Sequence, residues 1–253
     1  MNLEYITCSD MREHNSIYDI IDLGKKYPMA EFAIQAHPSK FSRRMPQSEW
    51  MPRYVWFEEL MDKSRVNDIN LAMHVNSEWR TEICHGNIPF EIKRMWDMRR
   101  DNGKPVIGRV QININGGKDS FRFYAAKVAN IIRAYPDIEF IFQYTPRQRR
   151  RVNKLDTTDT EFSLLFDASG GQGKLPKKWR APVMPNHKMG YSGGLSPENV
   201  YENLDKINLV VPANTNIWID AEGKLRNPDT KQFDVARAEQ YIQNALQWVQ
   251  RNK

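Results

Sequence analysis

The feature that most constrains the fold is an alternation of short apolar stretches with longer amphipathic ones along the 253 residues. Several of the short stretches are rich in β-branched or aromatic residues and carry few charges, as expected of strands buried on both faces. Such strands are usually parallel and joined by helices. The eight strand candidates are Leu3 to Cys8, Phe32 to Ala36, Ile69 to Val75, Val106 to Ile114, Ile138 to Tyr144, Phe162 to Phe166, Met189 to Ser192 and Ile217 to Ile219.

The count of eight predicts a (β/α)8 barrel that forms a single domain over residues 1–253, a length typical of that fold. An open, doubly wound sheet has the same alternation, but eight strands favour the barrel. Apolar residues at helical spacing from Val235 to Val249 predict the closing helix. Ser196 and Pro197 predict a helix start, as N-cap and first helical residue. The polar, proline-containing stretch from Arg43 to Arg53 is interpreted as a long loop.

Composition limits the compartment and the class of ligand. The two cysteines form no metal-type spacing and no secreted disulfide framework, and no apolar run is long enough to cross a bilayer. We therefore expect a soluble, cytoplasmic protein. With 37 Lys and Arg against 31 Asp and Glu, the net charge of +6 favours anionic ligands without choosing among them.

Glycine turns in the last third of the chain indicate a phosphate site. Gly193 and Gly194 follow the seventh strand candidate, and Gly223 follows the eighth. Unpaired backbone N–H groups of a glycine turn that opens a helix converge on an anion, and barrels commonly bind phosphate there. The alternative is that these glycines only make tight turns. The interpretation favours a small phosphorylated ligand.

Several motifs together resemble the phosphoribosylanthranilate isomerase family. An apolar strand ends in Asp167, and Gly170-Gly171-Gln172-Gly173 and Trp179 follow it. The next strand ends in Gly193-Gly194-Leu195-Ser196-Pro197-Glu198-Asn199-Val200, and the first strand ends in Cys8. The resemblance implies a cofactor-free aldose–ketose (Amadori) isomerase of tryptophan biosynthesis that acts on an N-linked ribosyl phosphate.

The same resemblance implies roles for individual residues. Asp167 would be the general acid, Cys8 the general base, and Arg43 the ligand of a substrate carboxylate, although the adjacent Arg44 makes that position ambiguous. For Cys8 the alternative is a buried, inert thiol, and for Asp167 it is a turn or cap residue. We interpret Cys84, which lies in a predicted helix, as structural.

The chain departs from the family pattern where phosphate would bind. Ala221-Glu222 replaces a serine pair, and a carboxylate beside phosphate is repulsive unless Glu222 turns away or Lys224 compensates. The loop after Asp167 is also short. These differences predict a divergent member whose substrate can differ from that of the family.

Two alternatives to an isomerase remain open. The first is a non-catalytic barrel that binds a phosphorylated metabolite or a nucleotide. The second is nucleic-acid binding through the run Arg147 to Arg151, which is disfavoured because such runs usually form a solvated helix face. Other polar residues at strand ends receive no assigned role; these are His37, His74, Asn76, Asn113, Gln143 and Tyr144.

Overall fold

A computed structural model describes residues 1–37, 47–114 and 122–252, with the backbone alone described over 47–53. Eight parallel strands close into one barrel in sequence order, β1 pairing with β8. The (β/α)8 fold and all eight strand predictions are therefore confirmed. The strands are β1 Asn2–Ser9, β2 Ala30–Ala36, β3 Asn70–Val75, β4 Ile107–Ile112, β5 Glu139–Tyr144, β6 Ser163–Asp167, β7 Met189–Ser192 and β8 Asn216–Ala221.

Helices surround the barrel and supply most of the connections between strands. Residues 168–188, between β6 and β7, form no helix, and short 3-10 turns lie at Pro146–Gln148 and Gly223–Leu225. The α-helices are α1 Ile17–Lys26, α2 Gln47–Val66, α3 Ser77–Cys84, α4 Phe90–Asp97, α5 Ala125–Ala134, α6 Arg149–Asp156, α7 Val200–Asn208 and α8 Val235–Arg251.

The closing helix α8 follows its sequence pattern. Asp234 caps it by accepting hydrogen bonds from the amides of Ala236 and Arg237 at 2.9 and 3.1 Å. Its apolar stripe, which includes Ile242 and Trp248, is buried against the strands. The prediction of this helix is confirmed.

Two local predictions need correction. The loop predicted from Arg43 to Arg53 is wrong from residue 47 onward, because α2 begins at Gln47. Pro52 removes one main-chain hydrogen bond from this helix, but the buried Phe57 and Leu60 farther along stabilise it. The predicted start of α7 at Ser196 is early: Asn199 is the N-cap, and its side chain accepts from the Ser196 amide at 3.0 Å.

Side chains alternate between the outside and the inside of the barrel along each strand. In β1, Ile6 and Cys8 join the apolar core under the helices. Tyr5, Thr7 and Ser9 instead contact residues of other strands inside the barrel. The alternation thus decides which β1 residues reach the interior.

A thin apolar layer crosses the middle of the barrel interior. Ile141, Leu165 and Trp218 form a buried cluster of their own, with Tyr5 packed against it. Gly190 makes room for the indole, because a Cβ at that position would lie 2.1 Å from Trp218. The layer separates two polar ends of the barrel.

The N-terminal end of the interior holds an ion cluster centred on Arg109, which is 3% exposed. Its guanidinium donates to Glu31 at 2.9 Å and to Glu139 at 3.1 Å. The guanidinium carbon also lies 4.5 Å from the ring centre of Tyr5 and 4.3 Å from that of Trp218. Burial opposes the charge of Arg109, but the two carboxylates outweigh it and raise its pKa.

None of the helices in the described part of the chain combines the length and apolarity needed to span a bilayer.

Candidate functional site

A cavity of about 350 Å³ opens at the C-terminal end of the barrel. Barrel enzymes carry their active sites at this end. A more open cleft of about 1160 Å³ lies at the N-terminal end, where Tyr5, Glu31 and Arg109 form part of its wall. We take the smaller cavity as the candidate site because strand-end polar side chains converge there, whereas Arg109 at the other end is paired with Glu31 and Glu139.

Polar side chains form most of the cavity wall. Five amide side chains line its β2 to β5 side, and the acidic residues lie on β6, on β8 and just beyond β8. Leu165, Leu195 and Ala221 are the only aliphatic side chains in the described wall. The five amides are Gln35, Asn76, Gln111, Asn113 and Gln143.

Asp220, near the end of β8, is the most perturbed carboxyl group in the cavity. It is 7% exposed, and the Ser9 hydroxyl donates to its Oδ1 at 2.7 Å. Burial raises the pKa of Asp220 to about 7. The Ser9 hydrogen bond opposes that rise, whereas the charges of Glu31 and Asp167 add to it. Asp220 therefore exchanges its proton near neutral pH.

His74 lies beside Asp220, with its Nε2 3.9 Å from Asp220 Oδ2. Burial lowers the pKa of His74, so its neutral form predominates at neutral pH. Its Nδ1 contacts the side-chain nitrogen of Gln35 at 3.3 Å, and Gln35 in turn accepts from Asn76 at 2.8 Å. When Gln35 donates to Nδ1, the remaining proton of the ring is on Nε2 and faces Asp220.

Asp167, the predicted acid, lies in the cavity wall. Gln143 and the Ser169 hydroxyl each donate to its carboxylate at 2.7 Å. The amides of Ser169 and Gly171 donate at 3.0 and 2.5 Å. These contacts make Asp167 the cap of the turn that follows β6. Its contacts in this structure are therefore those of a turn or cap residue, the alternative to a general acid.

Cys8, the predicted base, is not part of the cavity wall. It is 0% exposed and belongs to the core between strands and helices. Burial raises the pKa of its thiol well above the ordinary value, and Asp220 and Glu31 raise it further. The residue that faces inward at this height is Ser9. The role of Cys8 as a base stays a prediction, which burial of the uncharged thiol does not favour.

The predicted phosphate-binding glycines all line the cavity. Gly193 and Gly194 have φ of +103° and +75°, which other residues rarely adopt. The loop after β6 packs over them, since a Cβ on Gly194 would lie 2.5 Å from the Leu175 amide nitrogen. Gly223 begins a 3-10 turn that also carries Lys224.

Glu222, which departs from the family pattern, is partly neutralised by a neighbour. It lies 3.3 Å from the Arg226 guanidinium and 3.4 Å from the Gln35 amide, and 48% of its side chain is exposed. Arg226 also donates to Asp10 at 2.8 Å. Asp10 has φ of +79° and binds Arg12 as well, so the ends of β1 and β8 are joined by an ion cluster at the rim.

The structure brings Asp167, Gly193, Gly194 and Gly223 together and leaves Cys8 outside. Arg43 and Arg44 lie outside the described residues. Sequence reasoning missed Asp220, although it directly follows the eighth strand candidate, Ile217 to Ile219. The alternation of side chains along β8 is the signal that would have found it.

Among the described residues, no group of three His, Cys, Asp or Glu side chains is arranged to hold a metal ion.

The fold and the cavity define a (β/α)8 barrel protein with a small polar cavity at the C-terminal end of its strands. No family model matches the sequence, and no curated protein matches it.

Solved structures of other barrels do match. The N-(5'-phosphoribosyl)anthranilate isomerase of Pyrococcus furiosus aligns with 96% of this chain and 98% of its own, at 12% identity and a TM-score of 0.50. Fructose-bisphosphate aldolase of Campylobacter jejuni aligns over 98% and 87%, at 8% identity and 0.51. The xylanase Xyn30A of Clostridium acetobutylicum aligns over 97% and 72%, at 10% identity and 0.52. These likenesses establish the shared fold and single out no reaction.

Proposed function

We propose that the protein is an enzyme that moves a proton within a small polyhydroxylated anion, as in aldose–ketose isomerisation, with Asp220 as the acid–base group. The observation that carries the proposal is the buried Asp220 carboxyl, whose pKa is raised to about 7 at the C-terminal end of the barrel. A group with a pKa near the working pH is effective both in taking and in returning a proton.

The cavity wall supports a polyhydroxylated substrate. Amide side chains both donate and accept hydrogen bonds, which suits the hydroxyl groups of a sugar, and five of them line one side. An apolar ligand would find few partners there. The volume of about 350 Å³ is at the small end of the range of ligand sites, which suits a monosaccharide derivative.

Two features support an anionic group on the substrate. Lys224 lies in the wall beside Gly223, and the Gly193-Gly194 turn follows the neighbouring strand β7. Arg226 offsets the charge of Glu222. A phosphate placed between the two turns would meet backbone N–H groups and the Lys224 ammonium.

Asp220 supplies the proton-transfer step in this proposal. Its ionised form takes the proton from the carbon next to the substrate carbonyl or imine, and the resulting acid returns it to the former carbonyl or imine carbon. The proton of the adjacent hydroxyl passes to the former carbonyl oxygen or imine nitrogen, so that a ketone forms. Neutral His74 beside Asp220 adds no positive charge that would hold the carboxylate ionised. Asp167 and Cys8 keep their sequence-predicted roles as alternatives that the same assay compares.

The test is turnover of N-(5'-phosphoribosyl)anthranilate and of a panel of aldose phosphates by wild type, Asp220→Asn, Asp167→Asn and Cys8→Ala. We expect Asp220→Asn to lower kcat by about 100-fold or more, since general acid–base groups contribute that much. Asp62→Asn, a change of an exposed carboxylate on α2, is the matched control. Full activity of Asp220→Asn, or loss of activity in Cys8→Ala with its fold intact, contradicts the assignment.

The second candidate is a binding protein without turnover. The contacts of Asp167, the predicted general acid, favour this candidate, because four donors hold its carboxylate in a structural turn. This candidate predicts that sugar phosphates raise the melting temperature of wild type and of Asp220→Asn equally, with no product formed. Nucleic-acid binding has less support, because Arg149 and Arg150 form the exposed face of α6 while Val152 is buried.

A further inference from the structure

Ser77 and His37 contact each other just beyond the C-terminal ends of β3 and β2, next in the chain to strand-end residues that include the cavity-lining Asn76. Neither has a part in the proton transfer proposed for Asp220. We infer that they form a serine nucleophile and its histidine base, which act on a small acyl ester. The inference does not depend on the proposed function, since it uses other residues and another reaction.

Ser77 lies on a sharp turn from β3 into α3. Its φ is +53°, in the left-handed region that residues with a Cβ adopt at a cost. Asn76 before it is extended, and the helix begins at Ser77 itself. A strained strand–turn–helix of this kind presents a serine hydroxyl above the end of a parallel sheet, which is the geometry used by esterases with a nucleophile on such a turn.

The pairing of β2 with β3 brings His37 to Ser77. Ala36 and Val75 are partners in the register, so His37 lies next to Asn76 at the C-terminal end, and Ser77 is the following residue. The Ser77 hydroxyl contacts His37 Nε2. When the ring carries its proton on Nδ1, Nε2 accepts from the hydroxyl, as a general base must.

Both side chains are only partly buried, so a substrate can reach them. Asn76, which precedes Ser77, donates to Gln35 at 2.8 Å, and both of these amides line the cavity. An ester bound in the cavity through its polar groups would therefore extend its acyl carbonyl towards Ser77.

The start of α3 offers a place for the oxygen that becomes negative during attack. Asn76 makes no side-chain cap to the helix, because its amide is turned towards Gln35. The first N–H groups of a helix lack intrahelical acceptors, and donors in that position stabilise an oxyanion.

The chemical step balances with water as the only co-reactant. Ser77 Oγ attacks the carbonyl carbon as its proton passes to His37 Nε2. The bond from the carbonyl carbon to the leaving alkoxide breaks, and that oxygen takes the proton from His37. Water, deprotonated by His37, then cleaves the acyl-serine to a carboxylic acid and restores the Ser77 hydroxyl.

The test uses a fluorophosphonate probe for reactive serines and p-nitrophenyl acetate as the ester. We expect the probe to modify Ser77, as located by peptide mass. Ser77→Gly and His37→Asn should abolish labelling and lower ester hydrolysis at least about 100-fold. Glycine adopts positive φ freely, so Ser77→Gly should keep or raise the melting temperature.

Ser16→Ala is the matched control, since Ser16 is an exposed serine that only caps α1. It should leave labelling and hydrolysis unchanged. Absence of labelling at Ser77 in folded wild type, or hydrolysis by folded Ser77→Gly at the wild-type rate, overturns the inference.

Discussion

The two ends of the barrel interior treat charge in opposite ways. At the N-terminal end, Arg109 and Glu31 are both buried, and the guanidinium lies between Glu31 and Glu139 and between two aromatic rings. At the C-terminal end, Asp220 is equally buried but has a hydroxyl and a neutral histidine as its neighbours. The ion pairs of Arg109 at the N-terminal end stabilise the barrel. Asp220 at the C-terminal end, beside Ser9 and neutral His74, titrates near pH 7.

Removal of the paired cation Arg109 should have the largest effect on the free energy of unfolding. Arg109→Met leaves two carboxylates without their cation, and breaking a buried pair costs about 3 to 5 kcal/mol. Urea unfolding of the variant measures the loss. Arg65→Met is the control, because its contact to Asp101 is exposed and 3.7 Å long, and it should change stability by less than about 1 kcal/mol. Equal effects of the two changes would show that the cluster is not a support.

The buried Asp220 carboxyl should make the free energy of unfolding depend on pH. The folded pKa of Asp220, about 7, exceeds its ordinary value of 3.8, so between these values the folded state binds more protons. Its contribution to stability is therefore present below pH 4 and is lost as the pH rises towards 7.

Asp220→Asn should remove this dependence. The variant should gain stability relative to wild type as the pH rises from 4 to 8, by at most about 4 kcal/mol. Denaturant unfolding at several pH values measures the difference, and Asp62→Asn again serves as control. A difference that does not vary with pH would contradict the desolvation of Asp220.

The apolar layer between the two ends should resist added volume. Gly190→Ala places a methyl group against the Trp218 indole, and overpacking of this kind costs about 1 to 3 kcal/mol. A lowered melting temperature with altered tryptophan fluorescence is expected. Gly108→Ala is the control, since a Cβ at that position meets nothing within 4 Å.

The smallest effect should come from Cys8, which lies outside the barrel interior. Cys8→Ala should lower stability by about 1 kcal/mol through lost burial and change turnover less than about twofold. Unfolding midpoints and initial rates on the same preparation measure both. A large loss of turnover at unchanged stability would support Cys8 as the general base.

The sequence predicted the fold better than the site. Apolar runs report burial on both faces, which is why every strand was located, but most helix ends depend on capping contacts. Ser196 and Asn199 are both suitable cap residues, and only the packed turn shows that Asn199 takes the position. The sequence did not predict a helix over 47–53 because Pro52 disfavours one. Burial of the later part of α2 offsets the hydrogen bond lost at Pro52.

By itself, the sequence determined that eight parallel strands alternate with helices and that Asp167 and the glycine turns lie where strands end, because these depend on local pattern and on chain order. Tertiary structure alone decided that Ser9 rather than Cys8 faces inward and that Asp220 lies buried beside Ser9 and neutral His74. Both facts depend on strand register and on desolvation, which are set by residues distant in the chain.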